Sequence, residues 1–454
     1  MGNKSIIDEQ GWQDEAKKLR RLGWIVWGIA GIAQFLNQFH RVAGSVIVDK
    51  LMVDFSISAA TVGSILAVYF YVYAAMQLPT GILADYLGPR KTMTFGCLAS
   101  AIGSILFGLA PSLPALYLSR FLLSLGASVI FISVLKLQTQ WFHSRSFGRV
   151  SSLTGLIGRS GALVGTTPMA LLVMLVGWRQ SFELMGFLSL VVCLVCWLLI
   201  RDKPADKGLL SPAEIEKGKL GTRVPDTAQN ADTPSLHKRL NLMLTNKYIW
   251  PPLLIGIGSY GTLLVFQGAW GIPYLMQVYS MPRDTAANFV LLMTVGFILG
   301  TLLIAFISDK LQRRKLPAII FGVVYLFLWI TMTLWNGGKP PLAALYPMCF
   351  FIGLFAGFTI LIFACAKEVV PPSISGMTMG LVNFGTFLTT AVLQMAFGKV
   401  LDLSWEGTTA EGVRIYSLSG FQSGFVLVCI ATTAYVIGAL LLKETRCRDI
   451  YDEI

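Results

Sequence analysis

The chain has 454 residues, of which 55% are hydrophobic and only 13% charged, and its mean hydropathy is +0.67. A soluble domain carries about twice that share of charge, so the composition excludes one and implies a polytopic membrane protein. The formal charge of +12 is explained by basic residues held on one side of a bilayer, where anionic lipid headgroups rather than nucleic acid are the expected partner.

In chain order, residues 1–21 are too polar for a signal-peptide core and precede a first span that serves as its own uncleaved insertion signal. Apolar runs of about 20 residues, enough to cross a hydrocarbon core as helices, are centred near Leu36, Val68, Ser100, Ala127, Gly161, Leu190, Gly261, Gly296, Leu326, Leu354, Leu388 and Ile430. The alternating pattern of an outer-membrane barrel is missing. Six spans fall in 22–200 and six in 248–442, with a polar linker over 201–247 and a tail over 443–454. In the linker, Ser211-Pro212-Ala213-Glu214 reads as a capping box with proline at the first helical position, predicting a short amphipathic tether helix. Of the lysines and arginines outside the spans, 26 fall on the side of the termini and six on the other. That bias predicts cytoplasmic termini in a bacterial inner membrane. Every cysteine but Cys447 lies in a span, without metal-ligand spacing, and reads as a reduced packing residue.

The loop between spans 2 and 3 carries Gly81, Asp85, Gly88, Arg90 and Lys91, and a worn copy carrying Asp309, Arg313 and Arg314 lies 224 positions further on. Ala305 stands where Gly81 would recur. Gly44 maps onto Gly268 and Gly155-Leu156 onto Gly380-Leu381, so the order of landmarks is kept through both halves. This predicts an all-α membrane protein of two six-helix bundles related by a pseudo-two-fold axis along the membrane normal, with a site between them near the midplane. Gly81 permits close helix approach, and Asp85 can pair with Arg90 or Lys91 or cap a helix, so the repeated loop is a candidate conformational gate. A charge cluster that only sets topology is the simpler reading.

Four basic residues lie inside spans, Arg41, Arg120, Lys136 and Arg159, and no acid does. Each intramembrane charge costs at least about 2.5–3.5 kcal/mol, so a surplus of buried cations asks for an anion. At 1.5 Å per residue Arg41 lies roughly 8 Å and Arg159 about 3 Å from the centre of its span, while Arg120 and Lys136 lie on the order of 10–13 Å out and on roughly opposite faces. The guanidinium fork favours a carboxylate, phosphate or sulfonate. The competing reading has each cation neutralising helix carbonyls or snorkelling outward, and it weighs most for Arg120 and Lys136. His40 is the histidine within a span and a candidate proton carrier, against the alternative of a neutral hydrogen-bonding ring. Asn37, Gln38, Gln267, Trp270 and Gln394 are candidate neutral partners of the anion, as are Tyr69, Tyr71 and Tyr73.

Over its whole length the chain resembles the major facilitator superfamily, whose loop signature it matches strongly in the first copy: glycine, aspartate four later, glycine three after that, then a basic pair. Less specifically, it resembles the anion:cation symporter branch that carries organic anions. That branch has an Asp-Arg pair in span 1, a tyrosine in span 2, an arginine and then a glutamate in span 4 with a lysine nine later, a glutamine in span 5 and an asparagine in span 11. Here those positions read His40-Arg41, Tyr73, Arg120, Ala127, Lys136, Arg159 and Asn383. The resemblance implies substrate-binding roles for Arg41, Tyr73, Arg120 and Asn383, and by position for Arg159. Both proton-carrying acids of that branch are absent, which puts its proton route in doubt.

The reading is therefore a secondary transporter of a small organic anion working by alternating access, coupled to protons or a counter-anion, monomeric, with no cofactor and no metal. No nucleotide loop, zinc pair or triad points to an enzyme. The alternatives are an anion exchanger, an importer of a zwitterion such as an amino acid, and a non-transporting membrane sensor of the same anion.

Overall fold

In the computed structural model, described over residues 9–142, 144–212, 215, 236–410, 413–448, 450 and 451, helices occupy nearly all of the chain. Ten helices among the described residues are long and apolar enough to cross a membrane. They supply span 3 (Pro89–Gly108), span 4 (Leu113–Trp141), span 5 (Val150–Val176), span 6 (Trp178–Leu199), span 7 (Trp250–Tyr279), span 8 (Arg283–Leu311), span 9 (Lys315–Gly337), span 10 (Leu342–Lys367), span 11 (Gly376–Leu403) and span 12 (Leu418–Leu441).

The two remaining spans are less apolar or shorter for identifiable reasons. Span 1, Glu9–Ala43, starts in polar sequence and carries Gln34, Asn37, Gln38, His40 and Arg41. Span 2 runs as Ala59–Ala75 and resumes after Met76 as Gln77–Tyr86. Pro79 has no N–H to offer the carbonyl of Ala75 and crowds it, which breaks the helix there. Most of the expected linker helix after Ser211 lies outside the described residues, while Leu236–Thr245 is helical.

Packing follows a duplicated plan. Span 3 lies against spans 4 and 6, and span 9 against spans 10 and 12. Span 1 lies against spans 5 and 6, and span 7 against spans 11 and 12. The halves meet where span 2 packs on span 11 and span 5 on span 8. The irregular turns that carry the repeated glycines also touch: Gly44–Ile47, a 3₁₀ turn after span 1, and Phe266–Trp270, a π turn in span 7.

Most of the described hydrogen bonds between the halves gather at the end opposite the termini. A side chain on Gly63 would meet the Gln394 carbonyl at 2.8 Å, and one on Gly398 would meet the Ala59 carbonyl at 2.6 Å, so spans 2 and 11 close backbone to backbone. Arg283 pairs with Asp49 (Nη1 to Oδ1 2.7 Å) and reaches the Val46 carbonyl. The Asp402 carboxylate accepts from the Ala59 and Ala60 amides at 3.1 and 2.7 Å, capping span 2 from the other half. The molecule is thus closed at the end away from the termini.

At the termini end each repeated loop braces its own half. Gly88 has φ +82°, and a Cβ there would meet the Asp202 carboxylate at 2.8 Å. That carboxylate accepts from the Arg90 amide at 2.7 Å, capping span 3. In the second copy Gln312 takes the left-handed conformation at φ +50°. Glu444 accepts from the Arg314 and Lys315 amides at 2.8 and 3.1 Å, capping span 9. Each half therefore seats the start of its third helix on the first acid after its sixth, favoured by the helix dipole.

Candidate functional site

Arg41, near the far end of span 1, is 5% exposed. Its guanidinium lies 4.9 Å from the ring centroids of Tyr73 in span 2 and Phe387 in span 11, and Nη1 donates to the Tyr260 hydroxyl at 3.4 Å. Nε has no partner. Arg159 in span 5 is half-buried, its guanidinium 4.4 Å from the Phe297 ring of span 8, and its Nη1 has no partner either. Each central cation thus leans on a ring from the opposite half, at the cation–π distance that offsets part of its desolvation.

Tyr260 joins the two. Its ring stacks on Phe297 at 5.1 Å and meets Phe387 edge-on at 6.3 Å, the rings beneath Arg159 and Arg41 respectively. It sits in Ile257–Gly261, a π-helical turn, with a second such turn at Phe266–Trp270. Such turns add one residue to the local winding and re-aim side chains. Tyr73 completes the wall, 4.6 Å from Phe387 and stacked on Tyr69, whose hydroxyl donates to Asn37 at 3.1 Å.

Span 5 reaches this place because it runs tightly beside span 1. A Cβ on Gly158 would lie 3.2 Å from Gln34 and Gln38, and one on Gly165 would lie 2.9 Å from the Phe39 carbonyl. Gly165 is level with the stretch that bears Arg41 and stands six residues beyond Arg159, so the two arginines are offset by roughly 9 Å along the helices. Gln38 is half-buried on the same seam.

The other predicted residues are spread around this centre. Asn383 donates to Gln77 at 2.8 Å, a tie between the halves toward the termini end, and Gln77 donates to the Tyr73 carbonyl at 3.1 Å. Gln267 donates to Thr294 at 3.2 Å inside the second half. Trp270 donates to the Gln394 carbonyl at 3.0 Å and lies against Gly63 and Gly398, in the far-end closure. His40 turns to Ser189 of span 6 (Nε2 to Oγ 3.2 Å), into the first half and away from Arg41's rings. Arg120 is 1% exposed, lies 5.5 and 5.6 Å from the Tyr69 and Phe107 rings, and has no partner for Nε and Nη1. A side chain on Gly44 would come within 3.0 Å of its Nη2. Lys136 is half-buried on span 4, four turns from Arg120. Among the described residues no carboxylate pairs with Arg41, Arg120 or Arg159.

Of the gate candidates, Arg90 also donates to the Trp197 carbonyl (3.1 and 2.7 Å) and covers that ring at 4.7 Å. Arg314 donates to Glu368 at 2.9 Å and to Asp309 at 3.3 Å; burial alone would lower its pKa, but the hydrogen bond and charge of Glu368 outweigh that and raise it. Lys91, Asp309 and Arg313 are exposed. The surroundings of Gly81 and of the Asp85 side chain lie outside what is described.

Tyr260, Phe387, Phe297 and Gln77 were absent from the sequence reading, since a ring or amide in an apolar run carries no mark of which way it faces. Asp202 and Glu444 did carry a signal, each being the first acid after the last span of its half.

Residues 30–393 match the family model described as Major Facilitator Superfamily. The chain is 22% identical to the probable sulfoacetate transporter SauU of Cupriavidus necator, over 93% of this chain and 95% of that one. It is 27% identical to the membrane sensor protein UhpC of Escherichia coli, over 82% and 84%. In structure it is similar to a bacterial homologue of the human lysosomal transporter Spinster in an inward-facing, unoccupied conformation: TM-score 0.73, 16% identity, 92% of this chain and 97% of that one.

Proposed function

We propose that this chain, which belongs to the major facilitator superfamily, is a secondary transporter that carries a small organic anion across the membrane by alternating access. The observation that carries the proposal is the pair Arg41, buried, and Arg159, half-buried, which lie between the halves, each with a buried nitrogen that has no partner and neither with a described carboxylate to neutralise it. A carboxylate, sulfonate or phosphate would satisfy those donors, and the rings of Tyr73, Tyr260, Phe297 and Phe387 would line the remainder, as apolar walls with a few polar groups do in ligand sites.

The zwitterion alternative lacks a described acid to receive an ammonium. Basic residues on the termini side make that side cytoplasmic, so the closed end faces outward. The two capped loops, braced within their halves here, are the surfaces that approach one another when the site turns outward, and that is the gate role proposed for them. With His40 facing Ser189, exchange against a second anion is favoured over proton symport.

The test is uptake of labelled carboxylates, sulfonates and sugar phosphates by purified protein in liposomes, with an imposed pH gradient or an internal counter-anion. Uptake driven by internal anion and unmoved by the gradient is expected. Gradient-driven uptake that requires His40 would establish symport instead. Similarity to UhpC supports a second reading, a sensor, for which the same preparation would bind anion and accumulate none.

A further inference from the structure

We infer that the cargo is a dianion: a molecule bearing two negative charges, received by Arg41 and Arg159 together, with the Tyr260 hydroxyl between them. The inference rests on the anion-transport reading and narrows it to a charge state.

Three observations carry it. Both guanidiniums belong to one site, joined by a continuous run of contacts from Arg41 to the Tyr260 hydroxyl (3.4 Å), from the Tyr260 ring to Phe297 (5.1 Å) and from Phe297 to Arg159 (4.4 Å). Neither guanidinium has a described carboxylate partner, and each retains a buried nitrogen with no hydrogen bond. All the described partners they do have are neutral: rings and phenol hydroxyls.

A monoanion would leave one net positive charge in the closed site. Uncompensated buried charge is costly, and halving it is not enough to make occlusion favourable. A dianion neutralises the pair Arg41 and Arg159, so the loaded carrier can close around it, while Arg120 stays on the far side of Tyr69, packed within the first half. Return of the unloaded carrier would have to occlude both charges with no anion to offset them, which disfavours it and makes exchange the natural cycle.

The roughly 9 Å offset of the two backbones is spanned by long side chains converging on a small molecule. Two singly charged groups at opposite ends, as in a sulfonate-carboxylate or a short dicarboxylate, give one fork to each. A phosphate monoester concentrates both charges on one group, and both forks would then turn to it. These two sources of the same charge are separated by the ligand series.

The experiment measures binding to the purified full-length protein by the ligand-induced rise in melting temperature and by exchange in liposomes. The probes are acetate, methanesulfonate, malonate, sulfoacetate and glycerol phosphate at pH 8. Dianions are expected to bind about tenfold or more tightly than the matched monoanions, the worth of one charged hydrogen-bonded contact. Arg159→Gln is expected to weaken dianion binding at least about tenfold more than monoanion binding, which removes that advantage. If malonate and sulfoacetate lead, the charges are separated; if glycerol phosphate leads, they are concentrated. Monoanions and dianions binding alike to the unaltered protein overturns the inference and leaves anion transport standing. No stabilisation or exchange with any probe overturns the transport reading, and the inference with it. Because the ligand comparison is made on the unaltered chain, a poorly folded Arg159→Gln does not decide the question, and Arg159→Lys, which keeps the charge, is expected to retain the dianion preference.

Discussion

The two halves share a scaffold and differ at its centre. Each half seats its third helix on an acid after its sixth, Asp202 in one and Glu444 in the other, and each lays its first helix against its fifth and sixth. Yet the central cations, Arg41 and Arg159, come from the first half, while the second supplies Tyr260, Phe297 and Phe387. Duplication preserved what positions helices and released what lies between the halves. The first half holds both cations, and the second gives each of them an aromatic ring to rest on, Phe387 for Arg41 and Phe297 for Arg159.

The sharpest way to break this comparison is to remove one polar group from each half. Arg41→Gln is expected to lower exchange by at least about 30-fold, since it strips a buried charge from the anion. Gln267→Ala, which loses one neutral hydrogen bond to Thr294, is expected to cost no more than about tenfold. Equal losses would mean that the halves share the anion evenly.

A smaller effect is expected at the closed end, where Asp49 and Arg283 tie the halves. Ser45→Cys, at a position 1% exposed, should react with an impermeant maleimide several-fold faster once Asp49→Ala is added, as the outward conformation gains population. An unchanged rate would show that the glycine contacts of spans 2 and 11 hold that end unaided. The smallest effect separates the two loops. Gly88→Ala forces a side chain into the left-handed region and toward Asp202, whereas Gln312→Gly relieves a strained residue. The first is expected to destabilise and the second to stabilise by about 1–2 kcal/mol, read from thermal unfolding.

The architecture was legible in the sequence because membrane helices advertise themselves by length, and a repeated loop survives even when worn. The charged members of the candidate site stand out in the sequence too, since a cation in an apolar run such as Arg41 or Arg159 needs a reason to be there. Their neutral surroundings do not. Tyr260 and Phe387 look like any lipid-facing ring until the helix they ride on is oriented, and orientation comes from packing between halves separated by more than 200 residues of sequence. His40 shows the limit from the other side. It adjoins Arg41 in the chain, but neighbours on a helix point about 100° apart, and its ring lies against Ser189.

The wide turns of span 7 have a consequence for tolerance to deletion. Ile257–Gly261 and Phe266–Trp270 each wind in one residue more than a regular helix would. Loss of a single residue inside either turn can be absorbed by tightening it to ordinary α geometry, leaving both flanks in register. Loss of one residue from Thr262–Val265 between them has no such slack and would rotate everything beyond it by about 100°. Span 7 thus carries two spare links in its winding, placed on either side of the segment that separates Tyr260 from Gln267.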